Sequence, residues 1–388
     1  MKMATFKVPS KILYGKNAVK ELKNILPTMG KKALIITDEV MVKIGTIGEI
    51  LKILEDGSVA YDVYSGINTE PNSNHVKEAL KVCEYSKSDF IISLGGGSCI
   101  DLAKAISVLA YRDNHTGIKP NDNHLEDKLK HIAIPTTAGT GSEVTDVTVI
   151  TDLETDQKVM MKNTYYTPTV ALVDPQFTYS CPKQIIANTG VDALCHAIES
   201  LMSIKTNSFS EKFAWSSIEL ILNNLEKAYT EENNKPYMDK MALASLEAGI
   251  AFSNASVCLV HGMSRPLGAV FNVPHGVSNA MLLNTVLEFS KENIIGILEI
   301  IGKISMNNRL IESNLSNSMT RSDLGLYQIK KLLEKLEIPS ISEWGIDKVE
   351  FKKALDKMTN DALLSGSPQN NPIVPTAEQI KELYLQSF

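Results

Sequence analysis

The first half of the chain alternates between two hydrophobic patterns. Short apolar runs rich in β-branched residues are typical of buried strands, and they are separated by segments with apolar residues at helical spacing, such as 48–56 and 75–87. The runs that predict strands are KALIITD (32–38), VAYDVYSGI (59–67), DFIISLGGG (89–97), HIAIPTT (131–137), VTVITD (147–152) and TVALVDP (169–175). Regular alternation of strand and helix predicts a parallel sheet with helices on both faces.

The pattern changes near Pro182, beyond which helical spacing dominates. Segments 212–228, 241–254 and 326–338 predict helices, and a last helix in 376–388 opens with a capping box formed by Thr376 and Gln379. We therefore predict an α/β domain over residues 1–182 and an all-α domain over residues 183–388. The polar run 112–130 predicts a surface loop.

Composition excludes several classes of protein. The 388 residues suit two domains of ordinary size, and the net charge of -6 comes without a basic stripe, so we expect no nucleic-acid partner. No apolar run has the length of a membrane span, and the N-terminal segment lacks the apolar core of a secretory signal, so we expect no membrane. Five scattered cysteines argue against a disulfide framework and for a reducing, cytoplasmic location.

A glycine-rich turn, LGGGSCID (94–101), joins a predicted strand to a predicted helix. Glycines let the backbone approach a phosphate closely, and the N–H groups of a first helical turn point toward it. The alternative is an ordinary tight turn in which Ser98 and Asp101 form a capping box. The candidate phosphate-binding residues are Gly95, Gly96, Gly97, Ser98 and Asp101.

A second turn, IPTTAGTGSEVT (134–145), offers several hydroxyl groups where another predicted strand ends. Ligands of open α/β sheets bind at the carboxyl ends of strands, so two such turns together suit a dinucleotide. The hydroxyl side chains are those of Thr136, Thr137, Thr140 and Ser142. Asp38, which ends the strand 32–38, can accept from a ribose 2′-hydroxyl and repel a 2′-phosphate, which favours NAD over NADP. The alternative is that Asp38 caps the next helix.

Asp192 and His196 lie four positions apart in GVDALCHAIES (190–200), a segment of helical character. Positions i and i+4 share one helix face, so both side chains can reach one ion. Carboxylate oxygen and imidazole nitrogen together suit a divalent transition metal. The alternative is a hydrogen bond on a helix surface. We interpret the neighbouring Cys195 as a packing residue, because it points about 100° away on a helix.

His261 and His275 bracket the run HGMSRPLGAVFNVPH (261–275). On one unbroken helix they would lie about 21 Å apart along the axis, too far for one ion. Pro266 and Pro274 are expected to interrupt the helix, so that the chain turns back and brings the two imidazoles together. The alternative is two structural histidines, and Cys258 is interpreted as a buried thiol rather than a ligand.

The metal is not fixed by these residues. Three histidines and one carboxylate are four protein ligands, whereas catalytic zinc usually keeps three. A metal that accepts five or six ligands retains open positions beside four protein donors. Fe(II) fits that description, and zinc, manganese or nickel remain alternatives.

Four motifs in this order, GGGSCID, IPTTAGTGSE, GVDALCHAIE and HGMSRPLGAVFNVPHG, resemble those of the iron-containing, metal-dependent alcohol dehydrogenase family. The resemblance extends over nearly the whole chain, from residue 11 to residue 384. It implies an N-terminal dinucleotide-binding domain and a helical metal-binding domain, similar in fold to dehydroquinate synthase. It also implies an NAD(P) cofactor, a metal held by Asp192, His196, His261 and His275, and a further nucleotide contact at Lys158.

The implied reaction is hydride transfer between an alcohol bound to the metal and the nicotinamide ring. The substrate is then a small alcohol or aldehyde, and similar proteins suggest a homo-oligomer. The alternatives are a hydroxyacid dehydrogenase or transhydrogenase on the same fold, a lyase like dehydroquinate synthase, and a binding protein without turnover.

Arg265 departs from the family pattern, since many members carry a second histidine four positions after the one that matches His261. Arginine stays protonated at ordinary pH and cannot replace histidine as a base. Arg265 is interpreted either as part of an ion pair at the domain interface or as a cation near the substrate. In the second case the substrate is a hydroxy acid or a semialdehyde.

Overall fold

A computed structural model of the chain describes residues 3–111, 127–154, 157–308 and 319–388. The described residues form two compact units, Lys7–Cys181 and Pro182–Phe388, and the residues up to Phe6 belong with the second unit. Most of the polar run 112–130 that predicts a loop lies outside the described residues.

The first unit is built on a parallel sheet of six strands. The strands of the unit are β1 (Lys11–Tyr14), β2 (Lys32–Asp38), β3 (Ala60–Ile67), β4 (Phe90–Gly95), β5 (Lys130–Pro135), β6 (Val147–Asp152), β7 (Gln157–Lys162) and β8 (Val170–Val173). The order in the sheet is β1-β8-β5-β4-β2-β3, and every pairing within it is parallel. The prediction of a parallel sheet is confirmed.

Helices cover both faces of this sheet. They are α1 (Leu22–Met29), α2 (Glu39–Lys43), α3 (Ile47–Asp56), α4 (Ser73–Ser86) and α5 (Gly97–Leu109). Leu34 and Ile36 of β2 pack in one core with residues of α4 and α5, whereas Ile35 packs in the opposite core with residues of α1 and α3. Successive side chains of a strand point to opposite faces, so a strand buried on both faces is apolar throughout.

The strand predicted at 147–152 does not join the parallel sheet. It is β6, which pairs antiparallel with β7 in a separate two-stranded ribbon. Its burial alternates, with Thr148 and Ile150 buried between partly exposed neighbours, as expected of a ribbon covered on one face. The patterns described above do not predict β1 or β7.

The described residues of the second unit form an all-helical structure, as predicted. Its helices are α6 (Lys183–Met202), α7 (Ser208–Thr230), α8 (Lys235–Asn254), α9 (Leu259–Phe271), α10 (His275–Ser290), α11 (Ile295–Asn307), α12 (Arg321–Lys335), α13 (Lys348–Leu364) and α14 (Ala377–Gln386). Helix α6 is central, packs against α7, α8 and α10, and is buried along most of its length. Thr376 and Gln379 form the predicted capping box of α14.

Within the described ranges, no single helix has the length and apolar content needed to cross a bilayer. Helices α8 and α9 meet these criteria only as a pair, and the pair is bent by 103° at its break.

Helix α9 corrects the expected effect of Pro266. The helix continues through Arg265 and Pro266 to Phe271 rather than ending near His261. The reversal comes after it, where Asn272 adopts the left-handed conformation at φ 52° and Pro274 precedes the first residue of α10. Asparagine tolerates this conformation better than most residues, which makes it a suitable helix end.

Candidate active site

Asp38 and Gly95 mark the point where the order of the parallel sheet reverses. The chain runs from β2 to β3 on one side and then crosses to β4 on the other side of β2. Ligands of open α/β sheets bind at such a switch point, beyond the carboxyl ends of the strands. Asp38 ends β2 and Gly95 ends β4, and a Cβ placed on Gly95 would lie 3.4 Å from Asp38 Oδ2.

The glycine turn and the threonine turn lie against each other. The Thr136 N–H donates to the carbonyl of Gly95 at 3.0 Å. A Cβ on Gly97 would lie only 3.0 Å from the Thr140 methyl group, and larger residues would therefore push the turns apart. The sequence predicts both turns separately, and the structure places them together at one edge of the sheet.

Helix α5 begins at Gly97, directly after the glycine turn. Its N-cap is Gly96, and no side chain caps it, so the capping box expected from Ser98 and Asp101 is wrong. The first N–H groups of a helix have no acceptor within the helix. They are consequently able to bind an anion, and the helix dipole favours negative charge at the same end.

Asp38 caps helix α2, as the alternative interpretation holds. Its Oδ1 accepts from the Met41 N–H at 2.9 Å. The other oxygen, Oδ2, lies 3.7 Å from the Cys99 thiol, and burial together with Asp38 raises the pKa of that thiol well above its ordinary value. Capping uses one carboxylate oxygen of Asp38. A hydrogen bond from a ribose hydroxyl to Asp38 stays a prediction.

Asp101 and Ser142 are hydrogen-bonded to protein groups. Ser142 Oγ donates to Asp101 Oδ1 at 2.5 Å and accepts from the Lys104 ammonium at 2.8 Å. Asp101 Oδ2 accepts from the Val149 N–H at 3.0 Å. These bonds do not test the cofactor contacts of Asp101 and Ser142, which stay predictions.

Lys158 lies on β7 of the ribbon, where its Nζ is 2.5 Å from Glu70 Oε2. Its side chain is 16% exposed, so it is a paired lysine rather than a solvated one. A contact between Lys158 and the nucleotide stays a prediction from the family resemblance.

Four side chains from three helices converge in the second unit. Asp192 and His196 lie on α6, His261 on α9, and His275 is the first residue of α10. One ligand atom from each of the four lies within 4.8 Å of all the others. Asp192 Oδ1 is 3.8 Å from His196 Nε2, 3.6 Å from His261 Nε2 and 3.8 Å from His275 Nε2.

These distances fit a shared divalent ion. Ligand atoms bound at about 2.1 Å lie about 3.4 Å apart in a tetrahedron and about 4.2 Å apart when opposite each other. Asp192, His196 and His261 are buried, and His275 is 37% exposed. One carboxylate oxygen and three imidazole nitrogens are a donor set for iron or zinc, and the exposed side at His275 gives access.

Glu199 is a further member of this site that the sequence patterns do not reveal. It is completely buried on α6, and its Oε2 lies 2.6 Å from His261 Nδ1. Its Oε1 accepts from the Val260 N–H at 2.6 Å. Metal-binding histidines commonly donate their second N–H to a carboxylate, which orients the ring. The signal in the sequence is its place three residues after His196, on the same helix face.

Asn279 is the second member missed from the sequence. It is buried on α10, one turn after His275, and its Nδ2 donates to Asp192 Oδ1 at 2.6 Å. The same Nδ2 lies 3.1 Å from His261 Nε2 and 3.2 Å from His275 Nε2. One amide nitrogen thus lies within hydrogen-bonding distance of three of the four candidate ligands and can donate to two of them at once.

The charges in the cluster stabilise an ionised carboxylate. Burial by itself raises the pKa of Asp192, but the imidazoles around it, with His196 first, hold that pKa well below its usual range. Burial likewise opposes a charged His261, and Glu199 and Asp192 outweigh burial and raise the His261 pKa. A buried carboxylate that stays ionised among imidazoles favours a bound cation when the imidazoles are neutral.

The glycines that follow His261 and His275 serve close packing. A Cβ on Gly262 would lie 2.8 Å from the Pro368 ring, and a Cβ on Gly276 would lie 2.6 Å from the Asn188 carbonyl oxygen. Neither position has room for a side chain, so these glycines let α9 and α10 approach their neighbours closely.

Arg265 lies on α9, one turn after His261, and is partly buried. Its Nη1 donates to Ser367 Oγ at 3.0 Å. Within the described residues of its own unit, no ion pair of Arg265 with a carboxylate is found, and an ion pair at the domain interface stays a prediction. The guanidinium keeps donors for a further acceptor.

The first unit is a parallel α/β unit with a glycine turn at its switch point, and the second is a helical unit with a carboxylate–histidine cluster. Together they define the class as enzymes that use a dinucleotide and a divalent metal. The sequence model described as iron-containing alcohol dehydrogenase matches residues 9–175. The model described as Fe-containing alcohol dehydrogenase family, C-terminal, matches residues 186–388. The chain belongs to the iron-containing alcohol dehydrogenase family.

Individual relatives agree with this assignment. The chain is 33% identical to the NADPH-dependent butanol dehydrogenase of Clostridium saccharobutylicum, over 98% of this chain and 97% of that protein. It is 31% identical to the NAD-dependent methanol dehydrogenase of Bacillus methanolicus, over 98% and 99% of the two chains. It is similar to the structure of an alcohol dehydrogenase from Oenococcus oeni, with a TM-score of 0.90, 30% identity and complete coverage (100%) of both chains.

The family, the fold class and the enzyme class predicted from the motifs are therefore confirmed. Since both halves match alcohol dehydrogenases, a lyase like dehydroquinate synthase is not favoured.

Proposed function

We propose that this alcohol dehydrogenase transfers hydride reversibly between a primary alcohol and NAD, with Fe(II) as its metal. The observation that carries the proposal is the cluster of Asp192, His196, His261 and His275, whose ligand atoms lie within 4.8 Å of one another. These four residues would hold the metal. When bound, the metal supplies Lewis acidity, which lowers the pKa of an alcohol hydroxyl toward neutrality.

The protein's own residues prepare the site for that ion. Glu199 keeps a proton on His261 Nδ1, so that the Nε2 lone pair faces Asp192. Asn279 holds the Asp192 carboxylate by a hydrogen bond of 2.6 Å. A pre-set geometry of this kind lowers the cost of ordering the site when the metal and the alcohol bind.

The nucleotide would bind at the two turns of the first unit. The N-terminus of α5 would receive the pyrophosphate, with Gly95, Gly96, Gly97 and Ser98 providing backbone N–H groups. Thr136, Thr137 and Thr140 would supply hydroxyl groups. The contact of Thr140 with Gly97 and the bond from Thr136 to Gly95 support one shared binding surface.

Asp38 supports NAD as the preferred cofactor over NADP. The relatives differ in this respect, since one is named NADPH-dependent and another NAD-dependent. A carboxylate at the end of β2, beside Gly95, attracts a ribose 2′-hydroxyl and repels a 2′-phosphate.

Fe(II) is favoured over zinc by the number of protein donors. A catalytic zinc usually has three protein ligands and one open position, whereas four donors converge here. A metal that takes five or six ligands would still have room for the alcohol oxygen.

The test is spectroscopic. Protein purified without oxygen and reconstituted with Fe(II) or Zn(II) is mixed with NAD and a panel of primary alcohols, and NADH absorbance is followed. We expect turnover with Fe(II) that exceeds turnover with Zn(II). No NADH from any alcohol, with one metal bound per chain, would overturn the proposal.

A further inference from the structure

Lys104 is a lysine with no exposed surface, on α5, seven residues after Gly97. Its ammonium donates to Ser142 Oγ at 2.8 Å, to Thr145 Oγ1 at 2.8 Å and to the Val147 carbonyl at 2.7 Å. An ammonium has three donors, so all three are used. Every acceptor lies in residues 142–147, at the end of the threonine turn (134–145) or just after it.

The charge of this lysine is compensated locally. Asp101 Oδ1 lies 3.8 Å from Nζ, and the carboxylates of Glu143 and Asp146 also act on it. Burial lowers the pKa of Lys104 to about 8, and the three carboxylates work against that change. Burying a cation is unfavourable, and the hydrogen bonds and carboxylates must offset that cost. An apolar side chain would fill this space at lower cost if packing were its only role.

The hydrogen bonds of Lys104 connect it to the glycine turn through Ser142 and Thr140. Ser142, which accepts from Lys104, donates its main-chain N–H to Thr140 Oγ1 at 3.3 Å. Between them Gly141 adopts a left-handed conformation, with φ 60°, which reverses the chain. Thr140 in turn lies against Gly97, at the N-terminus of α5.

We propose that Lys104 is a positioning residue for the dinucleotide, which fixes the segment 136–147 against the helix that follows the glycine turn. Lys104 itself does not touch the nucleotide. The inference rests on the proposed function, because it takes these two turns as the binding surface. Loss of the ammonium would release the threonine turn and leave the first N–H groups of α5 in place.

The experiment measures nucleotide binding apart from catalysis. Lys104→Met keeps the length of the side chain and removes the charge and the donors. We expect the Kd for NADH, from NADH fluorescence, to rise about ten- to a hundredfold. The KM for NAD should rise in parallel, whereas kcat at saturating NAD, the KM for the alcohol and the bound metal should stay within about twofold of wild type.

Smaller variants cover the case that Lys104→Met does not fold. Thr145→Val removes one acceptor and should raise the Kd for NADH about three- to tenfold, whereas Thr145→Ser keeps the hydroxyl and should bind as wild type does. The matched control is Ser107→Ala, a buried hydroxyl on α5 whose one side-chain hydrogen bond, among the residues that the structure describes, goes to the main-chain carbonyl of Lys104 and not to its ammonium.

The outcomes separate the two proposals. Wild-type protein that binds no NADH would contradict the proposed function. Wild-type binding that Lys104→Met or Thr145→Val leaves unchanged would overturn the role of Lys104. Equal weakening in Ser107→Ala would overturn it too, because it would show general sensitivity of α5 to substitution.

Discussion

The Nδ1 atom of His261 lies 2.6 Å from a carboxylate oxygen of Glu199, a residue with no exposed surface. The second oxygen of Glu199 is held by the Val260 N–H at 2.6 Å, so the carboxylate cannot rotate freely. An ionised carboxylate accepts, so the proton of this pair lies on His261 Nδ1, and Nε2, 3.6 Å from Asp192 Oδ1, is the nitrogen left to bind an ion.

Glu199→Gln should weaken metal binding without removing a ligand. The amide can still accept from Val260 or His261, but the negative charge is lost, and we expect about a ten- to hundredfold loss of metal affinity. Chelator competition measures this directly. Glu247→Gln, a partly buried glutamate on α8, is the control. An unchanged metal Kd in Glu199→Gln would show that the contact only stabilises the fold.

Asp192→Asn should abolish stoichiometric metal binding and leave nucleotide binding intact. The substitution removes the only carboxylate among the four ligands described for the cluster and keeps the shape of the side chain. We expect less than about a tenth of the wild-type metal content and at least about a thousandfold loss of kcat/KM. Elemental analysis and NADH fluorescence report on the two units separately, and a raised Kd for NADH would contradict this separation.

Asp38→Ser should shift the cofactor preference toward NADP. Serine is a good N-cap, so the bond to the Met41 N–H can be replaced while the charge is removed. We expect the ratio of kcat/KM for NADP to that for NAD to rise about ten- to a hundredfold. Asp38→Asn, which also keeps the cap, should behave in the same way. A constant ratio in both variants would assign Asp38 to capping alone.

Arg265→Ala tests the substrate range. If the guanidinium binds a substrate carboxylate, kcat/KM should fall at least about tenfold more for a hydroxy acid than for a primary alcohol of equal length. Ser367→Ala removes the hydrogen-bond partner of Arg265 and serves as the control for its orientation. Equal losses on both substrates would assign Arg265 to structure or to general electrostatics.

The fold can be predicted from the sequence where a strand is buried on both of its faces. Strand β2 packs on both faces, so its apolar run is unambiguous. The pairing of β6 and β7 in a separate ribbon could not be predicted, because a strand with one covered face has the same residue types as a strand of the parallel sheet. Its pairing depends on residues that are distant in the sequence. Pro266 shows a second limit: α9 continues through it, since tertiary packing can outweigh the cost of one lost helical bond.

The candidate site likewise contains residues that spacing in the sequence identifies and residues that it does not. Spacing identifies Asp192 and His196, because i and i+4 share a helix face. Glu199 follows His196 by three residues and Asn279 follows His275 by four, but this spacing does not reveal their shortest contacts, which are to His261 and Asp192 on other helices. Asp101 and Ser142 are predicted cofactor contacts that also bond to protein groups, because short polar side chains in a turn can serve both a ligand and a buried lysine.

The buried Glu143 predicts a dependence of stability on pH. Burial raises its pKa to about 7 in the fold, against an ordinary value of 4.5, while Lys104 and the backbone lower it. A folded state that binds the proton more tightly is most stable at low pH, and stability is lost as pH rises from about 4.5 to about 7. The free energy at stake is about 3 kcal/mol.

Glu143→Gln cannot ionise, so it should lack this loss. We expect the free energy of unfolding of wild type, relative to the variant, to fall by about 3 kcal/mol between pH 4.5 and pH 7.5 and then to level off. Urea unfolding at intervals of half a pH unit measures it. Glu84→Gln, an exposed glutamate on α4, controls for net charge. A difference that is independent of pH would mean that Glu143 has the same pKa in the folded and unfolded chain, and that Lys104 neutralises it completely.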